Sequence, residues 1–490
     1  MTPTRLSRRE CLKRLGALSA LGSAAPFALN LAGLGAASAQ SAPADYRAIV
    51  CLFMFGGNDH HNMIMPYDQT AYDTYAAARG GARSVGGIAY DRAQLTATKF
   101  SPLTPQAIGS EFAFCPSMAA LHSLYGAGKL AVLPNIGPLI TPTTRTTFNA
   151  GSVPLPPKLF SHNDQQSVWQ AFASEGVKLG WGGRMGDLLA SSNSQSIFTA
   201  ISASGNAVFL AGQSIFQYQV GTSGATAING ITGSSMFGLS GTANTAAKQA
   251  LTELSTDSIN ASTLAVEADH ADVVERSVGA QSTVTAALAS VPTSTSGITL
   301  PTNLANNRLA QQLQVVARLI GARATTGAKR QVFFVSIGGF DTHDNEITTL
   351  EDNANGALGL HGQVSRCMDY FYNATVALGI QNNVTLFTAS DFGRTLTSNG
   401  DGSDHGWGAH HFVLGGAVKG GDMYGTMPDV RLHTTANPNL QDSGSGRLIP
   451  TTSVDSLAVT LARWFGVSGS DFGLIAPNIA NFTNDLGFMS

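Results

Sequence analysis

Val332-Phe333-Phe334-Val335-Ser336-Ile337-Gly338-Gly339-Phe340-Asp341-Thr342-His343 is a run of β-branched and aromatic residues that meets two glycines and then delivers an acid and an imidazole. Such apolar runs belong to strands buried on both faces, as in a parallel sheet. Gly338 and Gly339 stop the strand. In open α/β sheets the working residues sit just past the carboxyl ends of the strands, which is where Asp341 and His343 stand. The pattern recurs twice. AIVCLFMF at 48–55 runs into Gly56, Gly57, Asn58 and Asp59, and VTLFTAS at 384–390 runs into Asp391, Phe392, Gly393 and Arg394. Three strands ending in acids can point at one spot.

Working outward, residues 306–322 place Leu309, Leu313, Val316 and Ile320 on one helical face and feed directly into this strand. A second helix over 361–378, with Val364, Met368 and Phe371 as its core face, leads to VTLFTAS. Helix, strand, helix, strand is the order of βαβ units. The expected fold is α/β, a three-layer α/β/α sandwich with a mostly parallel central sheet. Upstream, 118–125 reads as a short helix before the strand LAVLPNIG, whereas 67–114 reads as irregular. Residues 191–300 are rich in Ser, Thr, Ala and Gly and read as a polar insertion or cover, with helical composition over 247–288.

At 490 residues the chain exceeds one small core, yet it lacks the charge-rich linkers that separate independent domains; one domain over 40–490 is expected. Charged residues are only 12% and the net charge is −3, which excludes the basic footprint of a nucleic-acid binder and favours a small-molecule or carbohydrate ester as partner. The glycines follow no fixed period, which excludes collagen-like and repeat architectures. Oligomeric state is not legible.

Residues 1–39 read as a twin-arginine signal: Ser7-Arg8-Arg9-Glu10-Cys11-Leu12-Lys13, a mildly apolar stretch, then Ala37-Ser38-Ala39. Pro26 and Asn30 interrupt the apolar stretch and argue against a permanent membrane span, so the expected location is periplasmic or extracellular. Loss of Cys11 with the signal leaves Cys51, Cys115 and Cys367, enough for at most one internal disulfide.

Asp59, Asp341, His343, Asp391 and His405 are the candidate metal ligands. Carboxylates and imidazoles from separate elements are what holds a divalent ion such as Zn, Mg, Ca or Mn, and one or two ions are expected. Seven of the eleven histidines, His60, His61, His162, His343, His405, His410 and His411, lie in or beside these motifs, which is hard to explain as surface decoration. Asn58, His60, His410 and His411 are candidate supports or substrate contacts. Ser161 heads LFSHNDQQSVWQAF either as a helix cap, with Asp164 three residues on, or as a nucleophile at a helix N-terminus beside His162. Arg394 either grips an anionic substrate or pairs with a neighbouring acid. For Asp404-His405-Gly406-Trp407-Gly408 the alternative to ligation is a glycine-rich turn with Trp407 packing an edge.

GGND at 56–59, LFSHNDQQ, GWGGR at 180–184, GGFDTH, SDFGRT, DHGWG and the closing IPTTSVDSLAVTLARWFGV together resemble the exported proteins grouped as domain of unknown function 1501, over nearly the whole mature chain. That family is regarded as a branch of the alkaline phosphatase and sulfatase superfamily. The resemblance implies an α/β/α sandwich with metal at the strand ends. It also implies one ion at Asp59 and Asp391 with the nucleophile, and another at Asp341, His343 and His405. The sequence departs from that pattern at Phe392, where phosphatases of the superfamily carry His, and one site loses a ligand; His60, where glycine is common, is a substitute donor. There is no CxPxR-type sulfatase signature, and Ser161 matches the nucleophile by motif order. Asn163 replaces the family's usual phenylalanine. The implied activity is metal-dependent hydrolysis of phosphate or sulfate esters. The alternative is a non-catalytic exported binding or scaffold protein that keeps the fold and a structural metal.

Overall fold

VFFVSI forms most of a central strand that begins before its apolar run, at Arg330. Arg330 and Gln331 are buried but satisfied: Arg330 donates to Asp45 and to the Phe465 carbonyl, and Gln331 to the Phe198 carbonyl. Hydropathy does not register such pairs. The computed structural model describes residues 45–226, 238–261 and 265–490, so the signal expected at 1–39 lies outside the described residues.

The strands in chain order are β1 (Arg47–Met54), β2 (Ile64–Pro66), β3 (Lys99–Phe100), β4 (Phe112–Phe114), β5 (Leu130–Gly137), β6 (Ala200–Ser202) and β7 (Tyr218–Gly221). They continue as β8 (Gly224–Ala225), β9 (Arg330–Ile337), β10 (Val384–Ser390), β11 (Arg394–Ser398), β12 (Ser403–His405), β13 (Ala409–Gly415) and β14 (Thr452–Ser453). Nine of them form one sheet in the order β14-β5-β13-β10-β1-β9-β6-β7-β8. Its centre is parallel, β10 and β9 flanking β1 and β6 continuing beyond β9, while β13 runs antiparallel to both its neighbours.

Alternation along β1 shows why the run is unbroken. Ala48, Val50, Leu52 and Met54 enter one apolar cluster, and Ile49, Cys51 and Phe53 enter the other. Helices Arg308–Gly321 and Leu360–Ala377 cover the first face with Leu313, Val316, Val364 and Met368. Helices Trp181–Leu189 and Val454–Phe465 cover the second with Trp181, Met185, Leu457 and Leu461. Each fully buried Val, Leu or Phe contributes about 1.5–3 kcal/mol, so both faces must be hydrophobic for the sheet to hold. The protein is therefore mixed α/β, with helices on both sides of a large, mostly parallel sheet.

Residues 67–114, expected to be irregular, contain helix Gln69–Ala78, a 3-10 stretch Arg92–Thr98, and strands β3 and β4, which join β2 in a small sheet. The helix hides from pattern reading because two tyrosines, Tyr72 and Tyr75, with small alanines make its buried face. Within 191–300, β6 to β8 extend the sheet edge, and helices Gly241–Ala261 and Ala265–Ser290 follow. Cys51, Cys115 and Cys367 are buried and free. No helix among the described residues is long and apolar enough to cross a membrane.

Candidate metal centre

Parallel register brings the three acidic loops to one level, because Met54 at the end of β1 lies opposite both Ser390 of β10 and Ile337 of β9. The turn after β1 needs its two glycines. Gly56 has φ +119°, and a Cβ there would stand 2.3 Å from the Asp341 amide nitrogen. Gly57 has φ +85°, and its Cβ would stand 2.3 Å from the Phe392 ring. Any other residue would push the first loop away from the other two.

Asp341 is the meeting point. Its Oδ1 lies 3.0 Å from His343 Nε2 and 3.3 Å from His405 Nε2, and its Oδ2 lies 3.4 Å from His162 Nε2. Donor atoms of His162, Asp341 and His405 all fall within 4.8 Å of one another. His343 Nε2 joins them, 3.0 Å from His405 Nε2.

The far side of each ring explains which way its lone pair points. His405 Nδ1 faces the Phe160 carbonyl at 2.8 Å, and a carbonyl only accepts, so Nδ1 carries the proton. His162 Nδ1 donates to the buried Asp391 Oδ2 at 2.6 Å, an oxygen also held by Gln166 Nε2 at 2.9 Å. His343 Nδ1 donates to Asp404 Oδ1 at 3.2 Å. All three imidazoles thus turn an Nε2 lone pair toward Asp341. Lone pairs facing a carboxylate at this range repel unless a cation lies among them. An Nδ1–H held by a carboxylate or carbonyl is the usual support of a metal-bound histidine. His162 Nε2 is buried without a hydrogen-bond partner, which fits a donor awaiting an ion. The residues present therefore fit a divalent cation.

Electrostatics favour ligand-ready forms at two of these positions. Against the opposing cost of burial, the Arg394 guanidinium 2.7 Å away holds the Asp341 carboxyl below its usual range. Burial, partly offset by the bond to Phe160, lowers the His405 pKa. The Asp391 hydrogen bond raises that of His162, so protons compete with a metal there.

Arg394 behaves as the ion-pair partner of an acid and not as a grip for an anionic substrate. Its side chain is fully buried, and its donors go to Asp341, the Gly56 carbonyl, and both the hydroxyl and carbonyl of Ser403. Asp59 stands apart from the Asp341 group. Its Oδ2 is 2.5 Å from Arg79, which also bonds Glu346 at 2.6 Å, all three side chains being fully buried. Burial above all pushes the Asp59 carboxyl well above its ordinary range, although Arg79 opposes this. Asp391 reaches the group through His162. The three strand-end acids therefore have three different partners, two guanidiniums and an imidazole.

Ser161 is the N-cap residue of helix His162–Ala171, and its hydroxyl donates to Asp164 Oδ2 at 3.0 Å. Phe392 packs against His162 and His405 with ring centroids 4.9 and 4.6 Å away, giving the site an apolar wall. Asn58 ties Ser390 Oγ at 3.0 Å to His361 Nε2 at 3.0 Å. His60, His61, His410 and His411 form a buried layer behind the loop. His60 stacks on His61 at 3.8 Å and meets His410 edge-on at 4.6 Å, while His411 bonds Thr388 at 3.1 Å. Burial keeps His60 and His61 neutral and drives His410 and His411 down to about 3. None of these contacts reaches Asp341.

Sequence reasoning missed Arg79, Glu346 and Gln166. Arg79 follows the tyrosine-faced helix, Glu346 opens the short helix Glu346–Leu350 after His343, and Gln166 lies one turn beyond His162; its place in the LFSHNDQQ motif was the available signal.

A family model described as "Protein of unknown function (DUF1501)" matches residues 46–471. No curated protein matches the chain.

Proposed function

The chain belongs to the DUF1501 family, and from the geometry around Asp341 we propose that it is an exported, metal-dependent hydrolase of phosphate or sulfate esters. The observation that carries this reading is the orientation of three imidazoles, each donating Nδ1–H outward and turning Nε2 inward onto one carboxylate. An alkaline phosphatase-like relationship is part of the proposal, supported by the position of the site past the carboxyl ends of parallel strands.

His162, Asp341 and His405 would hold a divalent ion, and a nitrogen-rich set of this kind favours Zn2+ over Mg2+ or Ca2+. Such an ion supplies Lewis-acid polarisation of the ester and acidifies water. Asp391 and the Phe160 carbonyl keep the two histidines in the donor tautomer. His343, 41% exposed and oriented by Asp404, stands on the open side. Its Nε2 lies 3.0 Å from both Asp341 Oδ1 and His405 Nε2 and would steady the ion from that side. Phe392 keeps bulk water from the inner wall. Ser161 serves the helix and not the chemistry.

The test is an assay of the purified mature protein, loaded in turn with Zn2+, Mn2+, Mg2+ and Ca2+, on aryl phosphate and aryl sulfate panels. Turnover that falls at least about 100-fold in His343→Gln and Asp341→Asn is expected. Silence on every ester with every ion would end the hydrolase reading. The binding or scaffold alternative has one observation in its favour, the saturation of Arg394, which leaves no free guanidinium among these residues for an anionic ester.

A further inference from the structure

We infer that Arg79 is the built-in cation of the Asp59 position, so that this chain takes one metal ion and not two. The inference rests on the proposed metal site at Asp341 and adds its stoichiometry.

Asp59 follows Asn58, whose backbone bridges Gly393 two residues past Asp391, and a second ion would be sought at this loop. The guanidinium of Arg79 is already there. Its NH2 group donates to Asp59 at 2.5 Å and to Glu346 at 2.6 Å, and NH1 donates to the Thr395 carbonyl at 3.0 Å. A fully buried guanidinium persists only when its charge is compensated, and Glu346 with the Asp59 carboxyl beside it does so here. The placement is built, not incidental. Arg79 immediately follows helix Gln69–Ala78, which Tyr75 anchors to Asn62 and Tyr72 to the Tyr90 carbonyl. Its partner Glu346 is held in turn by the hydroxyls of Thr342 and Ser403, and Ser403 bonds Arg394, the partner of Asp341. Two guanidiniums thus stand on the Asp59 side of the site, and a second divalent ion would have to enter against both.

The experiment is calorimetric titration of the metal-free protein with Zn2+, paired with elemental analysis. Wild type is expected to bind one equivalent, and Asp59→Asn to bind one equivalent with Kd within about 3-fold. Arg79→Ala vacates a pocket that keeps both carboxylates, and two equivalents are expected, falling to one in Arg79→Ala/Asp59→Asn. Two equivalents in wild type, one of them lost in Asp59→Asn, would overturn this inference and leave the Asp341 site standing. A folded Arg79→Ala protein that still binds one equivalent overturns the role given to Arg79. No bound metal in wild type would overturn both this inference and the hydrolase reading. Should Arg79→Ala fail to fold, the comparison of wild type with Asp59→Asn decides.

Discussion

His162 Nδ1 lies 2.6 Å from Asp391 Oδ2, so the acid that ends β10 touches the candidate metal site only through an imidazole. The pair resembles the carboxylate–histidine supports of metal centres, in which the outer acid sets tautomer and basicity. Asp391→Asn should weaken Zn2+ binding by about 10–100-fold at neutral pH. The sign of the pH effect follows from the raised His162 pKa. A proton competes for Nε2 starting above the ordinary imidazole value of about 6.5, and wild-type affinity declines on that acid side. In the Asp391→Asn protein the decline should begin at lower pH. Zn2+ affinity measured against pH in both proteins checks this; an unchanged acid limb in the variant would count against the dyad.

Ser161→Ala should leave Zn2+ binding and any ester turnover within about 3-fold of wild type and cost about 1 kcal/mol of stability, as for one lost side-chain hydrogen bond. Abolished turnover in a protein that still binds its ion would restore Ser161 as the nucleophile.

Glu346→Gln or Arg79→Met breaks a fully buried charge network, since all side chains of the Arg79, Asp59 and Glu346 set are 0% exposed. Removing one member of such a set costs about 3–5 kcal/mol, because an uncompensated charge is left inside. Urea unfolding would reveal it. A loss under about 1 kcal/mol would mean that water reaches the network.

Acid should destabilise the fold through its buried histidines. His361, His410 and His411 are held down to about 3 by burial, and His60 and His61 are lowered as well. These groups are neutral in the native state and protonate readily once unfolded. Stability is therefore full above the unfolded value of about 6.5 and falls as the pH drops below it, by about 1.4 kcal/mol per pH unit for each histidine. Urea midpoints followed from neutral pH to about pH 4.5 should show this slope. His361→Gln should flatten it by roughly one proton; an equal slope in that variant would remove His361 from the account.

Strands β1, β9 and β10 were legible because each is a run of apolar residues buried on both faces, a pattern that depends only on local order. Asp341 and His343 could be placed for a related reason, since they follow directly on β9; His405 lies in β12, a short strand that no local pattern announced. Arg79 was not. Its helix buries tyrosines and alanines, and nothing in an alanine-rich stretch announces a charge that will lie completely inside. Arg394 was visible, but its choice between a substrate and a neighbouring acid depended on Gly56 and Asp341, far away along the chain, as well as on Ser403.

The chain's own letters determined where the central strands run and stop and which of them hand acids and imidazoles to the sheet edge, because apolar runs and glycine stops act over a few residues. Folding alone decided which basic group each acid meets: Arg79 for Asp59, Arg394 for Asp341, His162 for Asp391. Those pairings are chosen by distance and desolvation in three dimensions. Partners separated by 20, 53 and 229 positions carry no common local signal.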